Sequence, residues 1–198
     1  MSFWTTEGAT DPKRNFRFRV TIAGFGGSNN DSATSGGNNS VVWWAKKVQK
    51  PNYSVAEVKH VFLGHTFYYP GKLEWQEITM TLVDPAGTDA EGGVDALRKL
   101  NKIIESSGYK LPTKNAGTTT MSKDKSSGAL GTVQIEQLNA DGNAVETWVL
   151  KNPFLKKVTF SDLDYENDDL TSVDISFRYD WAECATGGQE LDNASFKA

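Results

Sequence analysis

The chain has 198 residues, of which 38% are hydrophobic and 23% charged, and its formal net charge is −4. That is enough apolar material for one domain over residues 1–198, which argues against global disorder, and the acidity argues against a protein that coats nucleic acid. The longest apolar run, Val41–Ala45, falls far short of the ~20 residues that span a bilayer, and a lone cysteine, Cys184, excludes an internal disulfide framework and a multi-cysteine zinc site.

The N-terminus, Met-Ser-Phe-Trp-Thr-Thr-Glu, has no basic segment leading into an apolar stretch and reads as a non-exported arm over residues 1–14. A half-buried strand follows, with Phe16, Phe18, Val20 and Ile22 alternating with Arg17, Arg19 and Thr21. Residues 24–40 are nearly all Gly, Ser, Asn and Asp and read as a surface loop. Val41–Val48 reads as a second strand around Trp43 and Trp44, broken at Pro51. From Tyr53 to Tyr69 the pattern is β but neither face is purely apolar, which predicts a long protruding hairpin with Gly64 at its middle and Pro70-Gly71 closing it. Leu73–Val83 is a further strand.

One segment has helical spacing. Val94, Leu97, Leu100 and Ile104 recur at three- and four-residue steps, with Thr88 or Asp89 as a cap and Gly108 as a stop. Residues 110–129 read as loop. Strands are expected over Leu130–Leu138 and Val145–Lys151, joined by a turn at Asp141-Gly142, and another begins at Val158 and Phe160. Asp162–Asp169 is an acidic turn. Val173, Ile175, Phe177, Tyr179 and Trp181 alternate with polar residues as one strand, and 184–198 is a patternless tail. The sum is a mainly β core over 15–183: an antiparallel sandwich or barrel of about eight strands with one packed α-helix and a long protruding hairpin.

Charge is unevenly spread. Residues 1–50 carry seven Lys/Arg against three Asp/Glu, and residues 151–198 carry five against ten. This is either scatter or a basic and an acidic pole suited to head-to-tail stacking.

A search for chemistry yields no catalytic, cofactor-binding or metal assignment. The only histidines, His60 and His65, are an odd offset apart, which puts them on opposite faces of one strand and disfavours a two-histidine metal site. Asp162-Leu163-Asp164-Tyr165-Glu166-Asn167-Asp168 has acids at alternate positions like a calcium loop, but Asn167 stands where that loop needs Gly and Val173 where it needs an acid. Gly24, Gly26 and Gly27 precede a polar loop rather than a helix and fail the dinucleotide fingerprint. Cys184 has no cation cluster beside it and reads as a bystander. A structural or binding unit is therefore expected rather than an enzyme.

Residues 46–84 carry a more specific pattern: a strand, the break at Pro51, a hairpin with Val55, Val58 and a midpoint Gly64, a break at Gly71, then Trp75, Thr79, Thr81, Val83 and Asp84. The end of the chain adds Leu150–Phe154, Val158, Leu163-Asp164-Tyr165, an acidic turn and Tyr179-Asp180-Trp181. In this order the chain resembles the tail-tube proteins of contractile-tailed bacteriophages, a family related to the inner tubes of contractile injection systems. The resemblance implies homohexameric rings whose inner sheets merge into a barrel, stacked into a hollow virion tail tube assembled in the host cytoplasm. The implied partners are other copies of the chain, a tail sheath protein, and baseplate and tail-terminator proteins. Genomic DNA would pass through the lumen without specific binding, and no membrane is involved. Interface residues are expected at Tyr53, Val55, Val58, Val61, Phe62, Phe67, Tyr68 and Tyr69 in the hairpin. Lys13 and Arg14, Ser2–Lys13 as a whole and the 84–93 loop are expected at ring-to-ring contacts. The alternatives are the tube of a non-phage injection system and, in another class, a β-sandwich carbohydrate-binding module.

Overall fold

A computed structural model describes residues 12–25, 45–84, 96–110, 119–166 and 168–186. The expected loop at 26–40, Trp43 and Trp44, the Thr88 or Asp89 cap, Val94, and most of the N-terminal arm, the 84–93 loop and the tail lie outside the described residues.

Among the described residues the chain is mainly β, as the alternation demands. The strands are β1 (Phe18–Ile22), β2 (Ala45–Val48), β3 (Tyr53–Phe62), β4 (His65–Trp75), β5 (Ile78–Val83), β6 (Val133–Leu138), β7 (Ala144–Lys151), β8 (Phe154–Phe160), β9 (Ser172–Arg178) and β10 (Trp181–Thr186). Two helices, α1 (Ala96–Ser106) and α2 (Lys123–Leu130), lie between β5 and β6. Two four-stranded antiparallel sheets run in the orders β1-β6-β7-β10 and β2-β5-β9-β8, and β3-β4 forms a separate two-stranded ribbon.

The period-2 pattern sets the core. In the second sheet Ile78 pairs with Phe177, Met80 with Ile175 and Leu82 with Val173, so six large apolar side chains share one face. In the first, Val20 opposes Ile135 and Ile22 opposes Val133. These residues, Leu150 of β7, and Ala96, Leu100 and Ile103 of α1 are buried in one cluster. The sandwich is closed on one side by α1, which packs on α2 and on the turn Ala23–Phe25.

Several expectations are corrected. Phe16 is not part of the first strand; it stands 74% exposed in a turn before β1. The buried helical face is Ala96, Leu100 and Ile103, and Leu97 points outward, because a residue's packing is set by where the sheets lie and not by spacing alone. Residues 123–130 are helical rather than loop. Ser122 caps them by accepting the Lys125 backbone N–H at 3.3 Å, and Gly131 N–H bonds back to the Ser127 carbonyl at 2.8 Å. Only Ser126 and Leu130 of this helix are buried, too few for a periodic signal.

Leu130 thus ends a helix, and β6 starts at Val133. The final alternating run is two strands. At Tyr179-Asp180 the chain leaves β9 and enters β10, which pairs with β7 in the other sheet, so Trp181 pairs with Lys151. The result, among the described residues, is ten strands and two α-helices where about eight and one were expected.

This division of burial predicts a division of stability. Ile175→Ala, which opens a cavity in the core, is expected to cost about 2–5 kcal/mol in urea unfolding. Val61→Ala in the ribbon is expected to stay within about 0.5 kcal/mol. Equal losses would show that the ribbon packs on the body of its own molecule.

Candidate assembly interface

The ribbon β3-β4 contains the longest strands among the described residues, 10 and 11 residues, and every residue of it except Trp75 is exposed. The eight hairpin residues singled out from the sequence are all here, each 48–66% exposed. An isolated two-stranded hairpin is marginal in water because it has no face to bury. This one is held at its root. The Gln76 N–H donates to the Asn52 carbonyl at 2.8 Å, the Gln76 side chain donates to Ser54 at 2.9 Å, and Arg178 pairs with Glu74 at 3.1 Å. Trp75 lies edge-on to Tyr53, with centroids 5.3 Å apart, and 6.0 Å from the buried Tyr179.

Its tip turns on Leu63 and Gly64, both with positive φ (47° and 82°). That is the two-residue hairpin geometry that matches strand twist. It explains the midpoint glycine, and it leaves Leu63 at the apex 84% exposed in a conformation an L residue adopts at a cost.

Pro70-Gly71 was expected to close the hairpin; instead β4 runs through it to Trp75. Proline is tolerated because a two-stranded ribbon leaves the outer backbone edge unpaired. Register shifts between Val55, which faces Leu73, and Glu57, which faces Pro70, so β4 carries one extra residue there. Gly71 is required at this bulge, since a Cβ on it would lie 2.9 Å from the Ala56 carbonyl oxygen.

The bulge has a consequence for the faces. Below it, Tyr53, Val55, Leu73 and Trp75 share one face; beyond it, that face carries Glu57, Lys59, Tyr68 and Val61, while Val58, Phe62, Phe67 and Tyr69 occupy the other. The apolar side therefore changes over along the ribbon. His60 pairs with Phe67 and His65 with Phe62, so both imidazoles stand on the same face. The odd-offset argument fails because the turn at Leu63-Gly64 puts the two histidines on different strands. Among the described residues no group of three or more metal-ligating side chains occurs.

Lys13 and Arg14 lie elsewhere, on the first sheet. Lys13 pairs with Glu146, which also accepts from Lys50 at 2.8 Å and from the Trp148 ring N–H. The Arg14 carbonyl accepts from the Gln137 side chain at 3.3 Å. Lys50, just before the ribbon, also donates to Gln137 at 2.6 Å and so ties the ribbon's incoming strand to the first sheet. This buttress had no sequence signature, because its members are spread from residue 13 to residue 148. Cys184 sits opposite Trp148, and burial raises its thiol pKa.

No protein-family model matches the chain, and no curated protein matches it by sequence. Its fold matches solved structures. A chain of the anti-feeding prophage baseplate superposes with a TM-score of 0.60 at 11% identity, covering 91% of this chain and 100% of that one. A chain from the PVC extracellular contractile injection system, in the sheath/tube terminator in its extended state, gives 0.59 at 15%, covering 90% and 100%. One from the sheath-tube complex of the same system gives 0.52 at 17%, covering 88% and 92%.

The fold is thus one found in contractile injection machines. It agrees with the tube-protein resemblance carried by residues 46–84 and by the end of the chain.

Burial raises the Glu146 carboxyl pKa, but the bonds from Lys13, Lys50 and Trp148 outweigh it and bring it from an ordinary 4.5 to about 2. A depressed folded-state pKa gives stability that is present above the unfolded value and lost as pH falls toward the folded one. Urea midpoints should therefore fall between pH 4.5 and 2, and Glu146→Gln should flatten that segment of the profile while lowering stability at pH 7. An unchanged slope would show that the buttress does not hold the carboxylate.

Proposed function

We propose that this chain is a tube subunit of a contractile apparatus, with a structural rather than a catalytic role. The observation that carries the proposal is the ribbon: two long strands, exposed on both faces and rooted firmly in a well-packed sandwich. Such a surface is a liability in a monomer, through unpaired strand edges and exposed aromatics, and is resolved when neighbouring copies cover it. Closure into a ring removes free edges altogether.

In this reading six copies form a ring, rings stack into a hollow tube, and a sheath surrounds the tube. Tyr53, Val55, Val58, Val61, Phe62, Phe67, Tyr68 and Tyr69 are subunit contacts. Arg14 lies at the ring edge, and Lys13, whose charge is engaged by Glu146 of its own chain, fixes the segment that carries it. A net charge of −4 suits a conduit past which phosphate must slide without sticking. The cargo is DNA if the apparatus is a phage tail, as the sequence pattern suggests. The solved structures of like fold come from the anti-feeding prophage and the PVC injection system, and they favour a second reading, an injection-system tube.

Negative-stain microscopy of purified protein should show sixfold rings or hollow rods. Replacing Val55–Phe67 by a short Gly-Ser turn should abolish them while keeping a cooperative unfolding transition. Uniform monomers at high concentration, or rods from the truncated variant, would overturn the proposal.

A further inference from the structure

The ribbon's tip and one other surface of the same molecule are complementary, and that surface lies at the end of the second sheet away from the ribbon's root. From Val58 to Tyr69 the ribbon has Lys59, His60 and His65 and no carboxylate; the nearest acid, Glu57, lies 3.9 Å from Lys59. Its outer half is apolar on the histidine face, and Leu63 caps it. What would cover it must supply both apolar contact and negative charge.

The segment between β8 and β9 has both. Residues 161–170 contain five acids and no base. More than acidity marks it: Leu163, Tyr165 and Leu170 are 87%, 108% and 72% exposed, three large apolar side chains with nothing packed over them. The turn is pinned, since the Asp164 carboxylate accepts the Glu166 backbone N–H at 3.0 Å.

Exposure excludes the simplest alternative, that tip and loop meet within one chain: Leu63, Leu163 and Tyr165 are 84%, 87% and 108% exposed. The ribbon is rooted at the end of the second sheet where Ile78 faces Phe177, and the acidic loop closes the other end, where Val83 faces Ser172. At that end the Asp84 N–H bonds the Thr171 carbonyl and the Ser161 N–H bonds the Ser172 carbonyl. The six residues of β5 separate the two by roughly 20 Å at about 3.3 Å per residue. A plug and a socket on different parts of one molecule can pair heterologously and so propagate from copy to copy.

We propose that the hairpin tip of one copy docks on the Asp162–Glu166 turn and Leu170 of a second copy. The tip enters end-on: Phe62, Leu63 and Phe67 meet Leu163, Tyr165 and Leu170, with the two histidines on one face of the ribbon and Lys59 on the other flanked by the carboxylates. This rests on the tube reading and names the partner surface of the same hairpin.

The test uses full-length protein in which Cys184→Ala removes the native thiol. One preparation carries His65→Cys and the other Glu166→Cys; they are mixed, assembled, imaged and treated with a short bis-maleimide. The expected result is rods together with a cross-linked dimer containing one chain of each kind. Rods without that dimer would overturn the docking while leaving the tube reading intact, and the absence of any assembly would overturn both. Independently, Lys59→Glu should raise the critical concentration for assembly by about threefold, in the range of a single exposed ion pair. Adding Asp162→Lys should recover most of that loss; failure to recover it counts against the pairing of these two surfaces.

Discussion

Two antiparallel strands have no interior. Whatever apolar side chains they carry stay in water until a third surface arrives, and the backbone edges on either side stay unpaired. The β3-β4 ribbon meets this constraint in an unusual form, because the chain invests its longest strands where its own core does not reach. The rest of the molecule makes sense as the mount for that ribbon. Trp75 wedged between Tyr53 and Tyr179, Arg178 on Glu74, and Lys50 on Glu146 and Gln137 fasten its root to both sheets. The ribbon is thus fixed at one end and bare at the other.

Within that element the bulge at Ala56 and Gly71 has a definite effect. One extra residue in β4 shifts which side chains face which way, so the apolar surface lies on one side near the root and on the opposite side near the tip. A single flat partner could not cover both, whereas an assembly in which successive neighbours approach from different sides could. The apex is equally bare. Leu63 takes a positive φ beside Gly64, and an exposed leucine in a strained position is poorly explained by the stability of the monomer.

Legibility from the sequence varied by element for physical reasons. Alternation in β5, β6 and β9 was readable because each has one face on the core, and a period of two then appears directly in the residues. The 53–69 hairpin was readable by the opposite sign, a β pattern with no clean apolar face. Segment 123–130 was missed because a two-turn helix burying only Ser126 and Leu130 leaves no period to detect. The apolar residues of the hairpin could be singled out one by one, but their distribution over two faces could not, since it depends on the bulge.

The sequence by itself determined that the chain is mainly β, that turns fall near Gly64, at Asp141-Gly142 and in the acidic 162–169 segment, and that one long segment would not be buried by its own fold. Those properties are local: alternation, turn chemistry and composition act over a few residues. Only the tertiary structure decided that Val173–Trp181 divides between two sheets at Tyr179-Asp180, that His60 and His65 share a face, and that Lys13 is engaged by Glu146. The same holds for the acidic 161–170 loop lying at the far end of the sheet from the ribbon. Apart from the histidines, whose shared face follows from the turn at Leu63-Gly64, each of these depends on pairing between residues far apart in the chain. Register and sheet order are set by which distant strands can cover one another's apolar faces, and no window of sequence contains both partners.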